Sequence, residues 1–177
     1  YVGGKPRYRS SKNPRGTAGK QPVMAMVERG GRVRSLVVPD VSAKTLRTAI
    51  RQNIDRRARI MTDEAAQYTG LENEFEGGHE TVLHTAREYA RGDVSTNTVE
   101  GYFSILKRGL NGIYHSVSRK HLHRYLAEYE FRYNNRELED GERVVAAIRA
   151  SDGRRLRYRE PADAQTSPQP TQLTPDF

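Results

Sequence analysis

Apolar positions along the chain fall into short runs and a few stripes of helical spacing. Val23 to Val27 is a continuous apolar run. After Glu28-Arg29-Gly30-Gly31, the stretch Val33 to Val38 alternates and then runs apolar, which predicts a hairpin closed by a Gly-Gly turn. Pro39-Asp40 ends it, and Ser42 can cap a helix in which Ala43, Leu46, Ala49 and Ile50 share a face. Ile60 to Thr62 reads as a buried strand, and Glu80 to His84 as another. Arg87 to Asp93 reads as a polar loop. In Thr96 to Leu110, Val99, Phe103, Leu106 and Leu110 recur at three- and four-residue intervals, so a helix is expected there with Thr96 or Thr98 at its cap.

A longer helix is predicted from about Arg119 to Arg136, capped by Ser118. Leu122, Tyr125, Leu126, Tyr129 and Tyr133 form its apolar face, and this aromatic stripe reads as core rather than a platform for stacking bases. Val144 to Ile148 suggests a last short helix. The chain opens on Tyr1-Val2-Gly3-Gly4, which looks like the end of a strand, followed by a basic loop over 5–22. From residue 159 the Pro-, Gln- and Thr-rich sequence reads as a disordered tail, leaving 1–158 as one domain. A hairpin joined through a crossover helix to a parallel strand, then another strand and helices, is the order of a ribonuclease-H-like α/β fold, with a mixed sheet flanked by helices and a first strand truncated at the N-terminus.

Composition narrows the partner. The 177 residues suffice for one domain with a real core, but 35% hydrophobic content and a mean hydropathy of −0.85 are lean. Thirty Lys and Arg against 22 Asp and Glu give a net charge of +8 and a pI near 9.9, a balance that favours a polyanion such as DNA or RNA. Cysteine is absent, so neither a disulfide framework nor a thiolate metal site can form. With no signal peptide and no apolar run of about 18 residues, the expectation is a cytosolic protein that does not span a membrane.

Two carboxylates carry the candidate chemistry. Asp63 follows Ile60-Met61-Thr62, so it sits where a strand ends, and open α/β sheets place their sites at such ends. Glu100 is expected about a quarter turn from the apolar stripe of its helix, at the rim of the packed face, with Lys107 two turns on along the same stripe. A cation there can meet a phosphate whose other oxygens bind a metal. Mg²⁺ needs carboxylates, water and substrate phosphate, and paired ions can stabilise both attacking and leaving oxygens of an in-line displacement. Asn97, one turn before Glu100, offers either a neutral carbonyl ligand or a cap. Asp40 reads as a turn former rather than a third ligand, and His79 and His84 as ordinary polar groups. Phosphate contacts are expected from Lys5, Arg7, Arg9, Lys12 and Lys20 in the basic loop, from Lys107 and Arg108, and from Lys120, His121 and Arg124 at the start of the longer helix.

At this point a family resemblance enters. Tyr1-Val2-Gly3-Gly4-Lys5, Val37-Val38-Pro39-Asp40-Val41, Thr62-Asp63-Glu64, Gly92 to Gly101, Leu106-Lys107-Arg108-Gly109, Tyr114-His115, Lys120 to Tyr125 and Phe131-Arg132-Tyr133-Asn134 stand in the order found in DDE transposases of bacterial insertion sequences. The sequence resembles their ISXO-type transposase domain from about Tyr1 to Arg136. The resemblance implies a ribonuclease-H-like enzyme that cuts DNA at transposon ends and joins the 3′-hydroxyl to a target, with Mg²⁺ or Mn²⁺ as cofactor. It puts Asp63 on the second catalytic aspartate and Glu100 on the acidic residue of the third motif. Asn97 lies in that motif too, so the third ligand stays open between them. Lys107 matches the basic residue that holds the substrate end. Terminal inverted repeats and target DNA are the implied partners, handled by a homo-oligomer. In the family an Asp-Glu-x precedes Tyr-Val-Gly-Gly and supplies the first aspartate, so the sequence as it stands reads as an N-terminally truncated, inactive piece. An inactive DNA-binding remnant, or a nuclease on the same fold, is the alternative.

Overall fold

Both faces of the first hairpin are apolar, and both are covered. In the computed structural model, which describes residues 20–83, 90–115 and 117–154 with backbone alone at 90 and 91, β1 (Val23–Val27) pairs antiparallel with β2 (Val33–Val37). Val23 stands opposite Val37, Ala25 opposite Ser35 and Val27 opposite Val33, so these residues share one face. That face packs on Tyr102, Leu106, Leu110, Leu122, Leu126 and Tyr129. The other face, with Met24, Met26, Leu36 and then Val38, packs on Leu46, Ala49, Ile50, Ile60, Leu71 and Phe75. The hairpin is thus a middle layer between two cores. Its Gly-Gly turn forms as expected, with Gly30 at φ +71°.

Helix α1 (Ala43–Asn53) starts at Ser42, whose hydroxyl accepts the Thr45 N–H at 3.3 Å. β3 (Ile60–Asp63) and β4 (His79–Val82) pair in parallel, Ile60 against His79 and Asp63 against Val82. A parallel return needs a long connection. Here it is made of two 3₁₀ turns, Ala66–Tyr68 and Leu71–Asn73, which bury Leu71. Gly77 closes the crossover against the entry to β3, since a Cβ there would lie 2.5 Å from the Ala58 carbonyl carbon.

A second hairpin stands where the sequence reads as a polar loop. β5 (Ala90–Arg91) and β6 (Val94–Ser95) pair antiparallel around Gly92-Asp93, with Gly92 at φ +62° as the first central residue of a two-residue turn requires. β6 packs against both β3 and β4 and leads straight into α2 (Asn97–Gly112).

The buried face of α2 is rotated from the expected one. Tyr102, Leu106, Gly109 and Leu110 are buried, while Val99 and Phe103 are only half-buried. The cause lies at Gly109, where any Cβ would overlap the Tyr129 hydroxyl, so the phenol seats on the bare backbone and draws that side of the helix inward. After a 3₁₀ turn, Arg119–His121, comes α3 (Leu122–Asn134), which buries Leu122, Leu126 and Tyr129. The expected single helix is therefore a 3₁₀ turn and a shorter α-helix, and the Ser118 side chain makes no cap bond.

α3 also finishes the outer edge of β2. Asn134 accepts the Val33 N–H through Oδ1 at 2.7 Å and returns Nδ2 to the Val33 carbonyl at 3.0 Å; Glu130 accepts the Ser35 N–H at 3.0 Å. Arg136 donates to the Gly31 carbonyl at 2.9 Å. Edge groups left bare invite pairing with another strand, and two side chains one helical turn apart satisfy them.

The fold is mixed α/β, and among the described residues its strands pair as three two-stranded sheets. The chain divides into two compact units, Tyr1–Glu137 and Leu138–Phe177. Within the second lies α4 (Asp140–Ser151), longer than the Val144 to Ile148 expected, opened by a capping box between Glu139 and Glu142. Tyr1–Gly4, the basic loop up to residue 19, His84 and the tail from residue 159 lie outside the described residues.

Candidate metal and nucleic-acid site

Asp63 ends β3 as the sequence predicts. Its side chain is exposed, and Oδ1 accepts the Ala65 N–H at 3.3 Å, an Asx turn that fixes the carboxylate at the strand end. Beneath it runs a polar chain that is half-buried at Thr62 and His79 and reaches the surface at Glu72. The Thr62 hydroxyl donates to the Asp63 carbonyl at 2.8 Å and meets His79 Nε2 at 2.9 Å, so Nε2 is the donor to Thr62. The His79 side chain is 7% exposed, and its Nδ1 faces Glu72 at 3.7 Å. The Glu72 carboxyl is held below the usual range by its own backbone N–H, by that of Gly70 and then by His79. Tyr68 stands beside this group: burial pushes its hydroxyl up, and the Asp63 carboxylate adds to the effect.

Sequence reasoning missed this chain. In the sequence His79 reads as a lone polar residue, and the parallel register that brings it across from β3 is a long-range fact no local pattern carries.

Glu100 lies in the first turn of α2 and is exposed. With Tyr102 and Gly109 on the buried face, Glu100 sits roughly 135° from its centre rather than the quarter turn expected, so it stands clear of the packed rim. Thr96 occupies the cap position, but its hydroxyl donates to Glu100 Oε1 at 2.8 Å instead of serving a backbone N–H as a cap would. Asn97 is the exposed first residue of the helix, and Lys107 and Arg108 are exposed two turns on.

The strand bearing Asp63 and the helix bearing Glu100 are joined through β6 and through Arg59. The Arg59 guanidinium takes Glu80 on β4, Nε to Oε1 at 2.7 Å, and Asp93 in the β5–β6 turn. Its bonds to Asp93 hold that carboxyl below the usual range. The turn that feeds α2 is thereby tied to the entry of β3. Among the described residues, no group of three or more His, Asp and Glu is gathered closely enough to hold a metal ion together.

The remaining predicted contacts are spread over the surface. Lys20, Lys120 and Arg124 are exposed. His121 is half-buried with Nδ1 enclosed and without a hydrogen-bond partner among the described residues, so this edge of its ring is turned away from solvent. Lys5, Arg7, Arg9 and Lys12 lie outside the described residues. Asp40 accepts the Ser42 N–H at 2.8 Å, and the Ser42 hydrogen bonds lower its carboxyl, the behaviour of a turn former. No helix among the described residues is long and apolar enough to cross a membrane.

The described residues thus form a mixed α/β unit with one carboxylate at the end of a parallel strand and another at the start of a later helix. Residues 1–134 match the ISXO2-like transposase domain, and the chain belongs to that family. It is 29% identical over 108 residues to an uncharacterized transposase-like protein of Haemophilus influenzae, covering 60% of this chain and 85% of that one. It is 28% identical over 114 residues to an uncharacterized protein in transposable element ISH50 of Halobacterium salinarum, covering 64% of this chain and 38% of that one. The chain therefore spans well under half of the Halobacterium relative and most of the Haemophilus one. No solved structure matches it.

Proposed function

We propose that this chain is the ribonuclease-H-like catalytic domain of a cytosolic DNA transposase, which cuts transposon ends and joins the 3′-hydroxyl to target DNA. Family membership supports the transposase role. The chemistry is read from the positions of Asp63 at the end of β3 and of Glu100 at the start of α2, on elements joined through β6. Carboxylate oxygens are the donors Mg²⁺ or Mn²⁺ takes, and sites of this kind hold Mg²⁺ with one or two protein carboxylates, substrate phosphates and water, so the donor chemistry fits. Asp63 and Glu100 would hold the metal, with Asn97 as the alternative to Glu100. The bound metal would supply activation of the attacking oxygen and charge stabilisation at the phosphorus.

The chain's own residues do the rest. The Asx turn and the Thr62–His79 chain keep Asp63 from turning away, and Thr96 steers the Glu100 carboxylate. Lys107 and Arg108 meet the phosphates of the transposon end, and Lys20, Lys120 and Arg124 add non-specific backbone contacts. Two ends must be brought together, so the acting form is a homo-oligomer on DNA.

The test is Mg²⁺-dependent cleavage of labelled terminal DNA by the natural full-length protein, beside Asp63→Asn, Glu100→Gln, Asn97→Ala and Lys107→Ala. Loss of cleavage in the first two with binding retained is expected, and Lys107→Ala should weaken end binding. Cleavage surviving in Glu100→Gln but lost in Asn97→Ala would move the third ligand to Asn97. A full-length protein that binds the ends and never cuts would replace the enzyme with a DNA-binding remnant.

A further inference from the structure

Helix α1 and the loop that follows it carry positive charge that no contact assigned above uses. Residues 43–59 hold six Lys and Arg, with Asp55 as their one carboxylate. At about 100° per residue, Lys44, Arg47 and Arg51 fall within about 60° of one another, roughly 140° from the centre of the buried face of Leu46, Ala49 and Ile50. Lys44 and Arg51 are exposed, Arg47 is half-buried, and Arg56 is exposed just beyond the helix. Glu74 orders this face. It accepts Arg51 Nε at 2.7 Å and Nη2 at 2.8 Å, and Arg47 Nη1 lies 3.7 Å away. Hydrogen bonding by Arg51 holds its carboxyl low, and the charges of Arg51, Arg47 and Arg56 act in the same sense, so Arg56 belongs to this group. The Glu74 side chain is 20% exposed against 56% for Arg51, which puts the carboxylate inside and the guanidinium outside. Arg47 is fixed further by donating Nε to the Gln67 carbonyl at 3.3 Å.

We infer that this stripe is a phosphate-contact surface for a DNA duplex, separate from the one met by Lys107 and Arg108. Lys44 and Arg56 make no ion pair with another described residue. Asp55 is taken by Arg57 and Glu74 by Arg51, while Glu76 adjoins Arg56 through its N–H, 2.7 Å from the Arg56 carbonyl. Glu74 and Glu76 against Lys44, Arg47, Arg51 and Arg56 leave the face positive. Lys44 and Arg47, and then Arg47 and Arg51, are like-charge neighbours three and four residues apart, an arrangement that weakens a helix unless an anion covers it. Shape selects the anion. The stripe runs roughly 10 Å along the helix from Lys44 to Arg51, a row rather than a point, which suits a linear polyanion with regularly spaced charges. Guanidinium groups already held in place by Glu74 and Gln67 meet phosphate with little further ordering.

The duplex on this stripe is a second one because of where α1 sits. α1 packs on one face of the β1–β2 layer and α2 and α3 on the other, so the stripe and the cations at Lys107, Arg108, Lys120 and Arg124 look out on opposite sides of that layer. A short duplex is stiff and cannot reach both sides. The domain therefore holds two duplex segments at once. This inference rests on the function proposed above only for the identity of the polyanion, DNA, which membership of a transposase family supports; the stripe and its charges stand independently.

The experiment is calorimetric titration of the full chain with a duplex of about 15 base pairs and arbitrary sequence, repeated at several salt concentrations, with circular dichroism confirming that each variant stays folded. Two duplexes per chain are expected. Lys44→Gln with Arg56→Gln should weaken one site roughly tenfold or more and reduce the magnitude of its salt slope by about two, leaving the other site unchanged. The charge-keeping pair Lys44→Arg with Arg56→Lys should retain both sites, and Lys107→Gln with Lys120→Gln should weaken the other site alone. A wild-type chain that takes one duplex, or two sites indifferent to Lys44→Gln with Arg56→Gln, would overturn the proposal. So would polyglutamate binding that depends on Lys44 and Arg56 while duplex binding does not, which would give the surface to an acidic protein. Cleavage assays separate the two readings: two sites with this mutational pattern but no cleavage refute the enzyme alone, whereas cleavage by a chain that takes one duplex refutes this surface alone.

Discussion

Two glycines of α2, identical in chemistry, should respond to alanine with opposite signs. Gly101 and Gly109 both lie in the helix interior, and in each an added methyl improves helix propensity by about 1 kcal/mol. Around Gly101 nothing lies within 4 Å of a new Cβ. At Gly109 the new atom overlaps the Tyr129 hydroxyl and crowds the ring carbon that bears it. Tyr129 is itself buried in the core shared by β2, α2 and α3, so it cannot swing away freely. Overpacking of this kind costs about 1–3 kcal/mol. The propensity gain is common to both variants and cancels in their difference, which leaves the steric cost alone. Gly101→Ala should therefore be about 1 kcal/mol more stable than the parent, and Gly109→Ala about 1–3 kcal/mol less stable than Gly101→Ala. Urea denaturation followed by far-ultraviolet circular dichroism reads the difference directly. In a domain of this size it corresponds to melting points about 3–10 °C apart. Adding Tyr129→Phe to Gly109→Ala should recover part of the loss, because the hydroxyl is the first atom met. If the two alanine variants agree within about half a kcal/mol, the account of why α2 turns this face inward is wrong.

Asn134→Leu removes both bonds to Val33 and leaves a strand-edge N–H and carbonyl unsatisfied; a loss of about 1–3 kcal/mol in chemical denaturation is expected, with greater aggregation on heating, and an unchanged midpoint would refute the edge-capping role. Glu74 accepts Arg51 Nε at 2.7 Å and Nη2 at 2.8 Å, and these bonds hold its carboxyl below the usual range. Its folded pKa is depressed, so its stabilising contribution is complete above the unfolded value of about 4.3 and disappears as pH falls through the folded one. Arg51→Met should flatten this acid limb in a series of melts from pH 6 downward, more visibly at low salt. Asp63→Asn should shift stability by no more than about half a kcal/mol, because the side chain is exposed; a larger loss would make Asp63 a structural residue first.

What could be read in the sequence was what neighbours in the chain decide. Val23 to Val27 and Val33 to Val38 announce a hairpin because their apolar run and alternation are local. Ser42 announces α1, and the short run before Asp63 announces β3. The strands at Ala90–Arg91 and Val94–Ser95 are too short to show a period, and Gly92-Asp93 was the one cue, a two-residue turn pair set in polar sequence. The sequence points to the wrong face of α2 because Val99 and Phe103 outweigh Gly109 in any count of hydrophobicity. The structure counts space instead, and the Tyr129 ring needs the backbone that Gly109 leaves bare. Of the candidate site, the positions of Asp63 and Glu100 on a strand end and a helix start were legible. The Thr62–His79–Glu72 chain and the Arg59 tie were not, since each depends on which strand lies beside which.

The hairpin sandwiched between two cores sets an order of events during synthesis. One face meets α1 within a few residues of leaving the ribosome, and loop closure over so short a span is fast. The other face waits for Glu130 and Asn134, whose bonds to Ser35 and Val33 span 95 and 101 residues. At about 5–20 residues per second, Val23, Val27, Val33 and Val37 stay uncovered for roughly 5–20 seconds while α2 and α3 are still being made. A nascent chain in that interval is a half-built sandwich with an apolar sheet face open to other chains. Slowing translation between Asp63 and Leu122 should lengthen its exposure and raise the demand for chaperones, without altering a single contact of the finished protein.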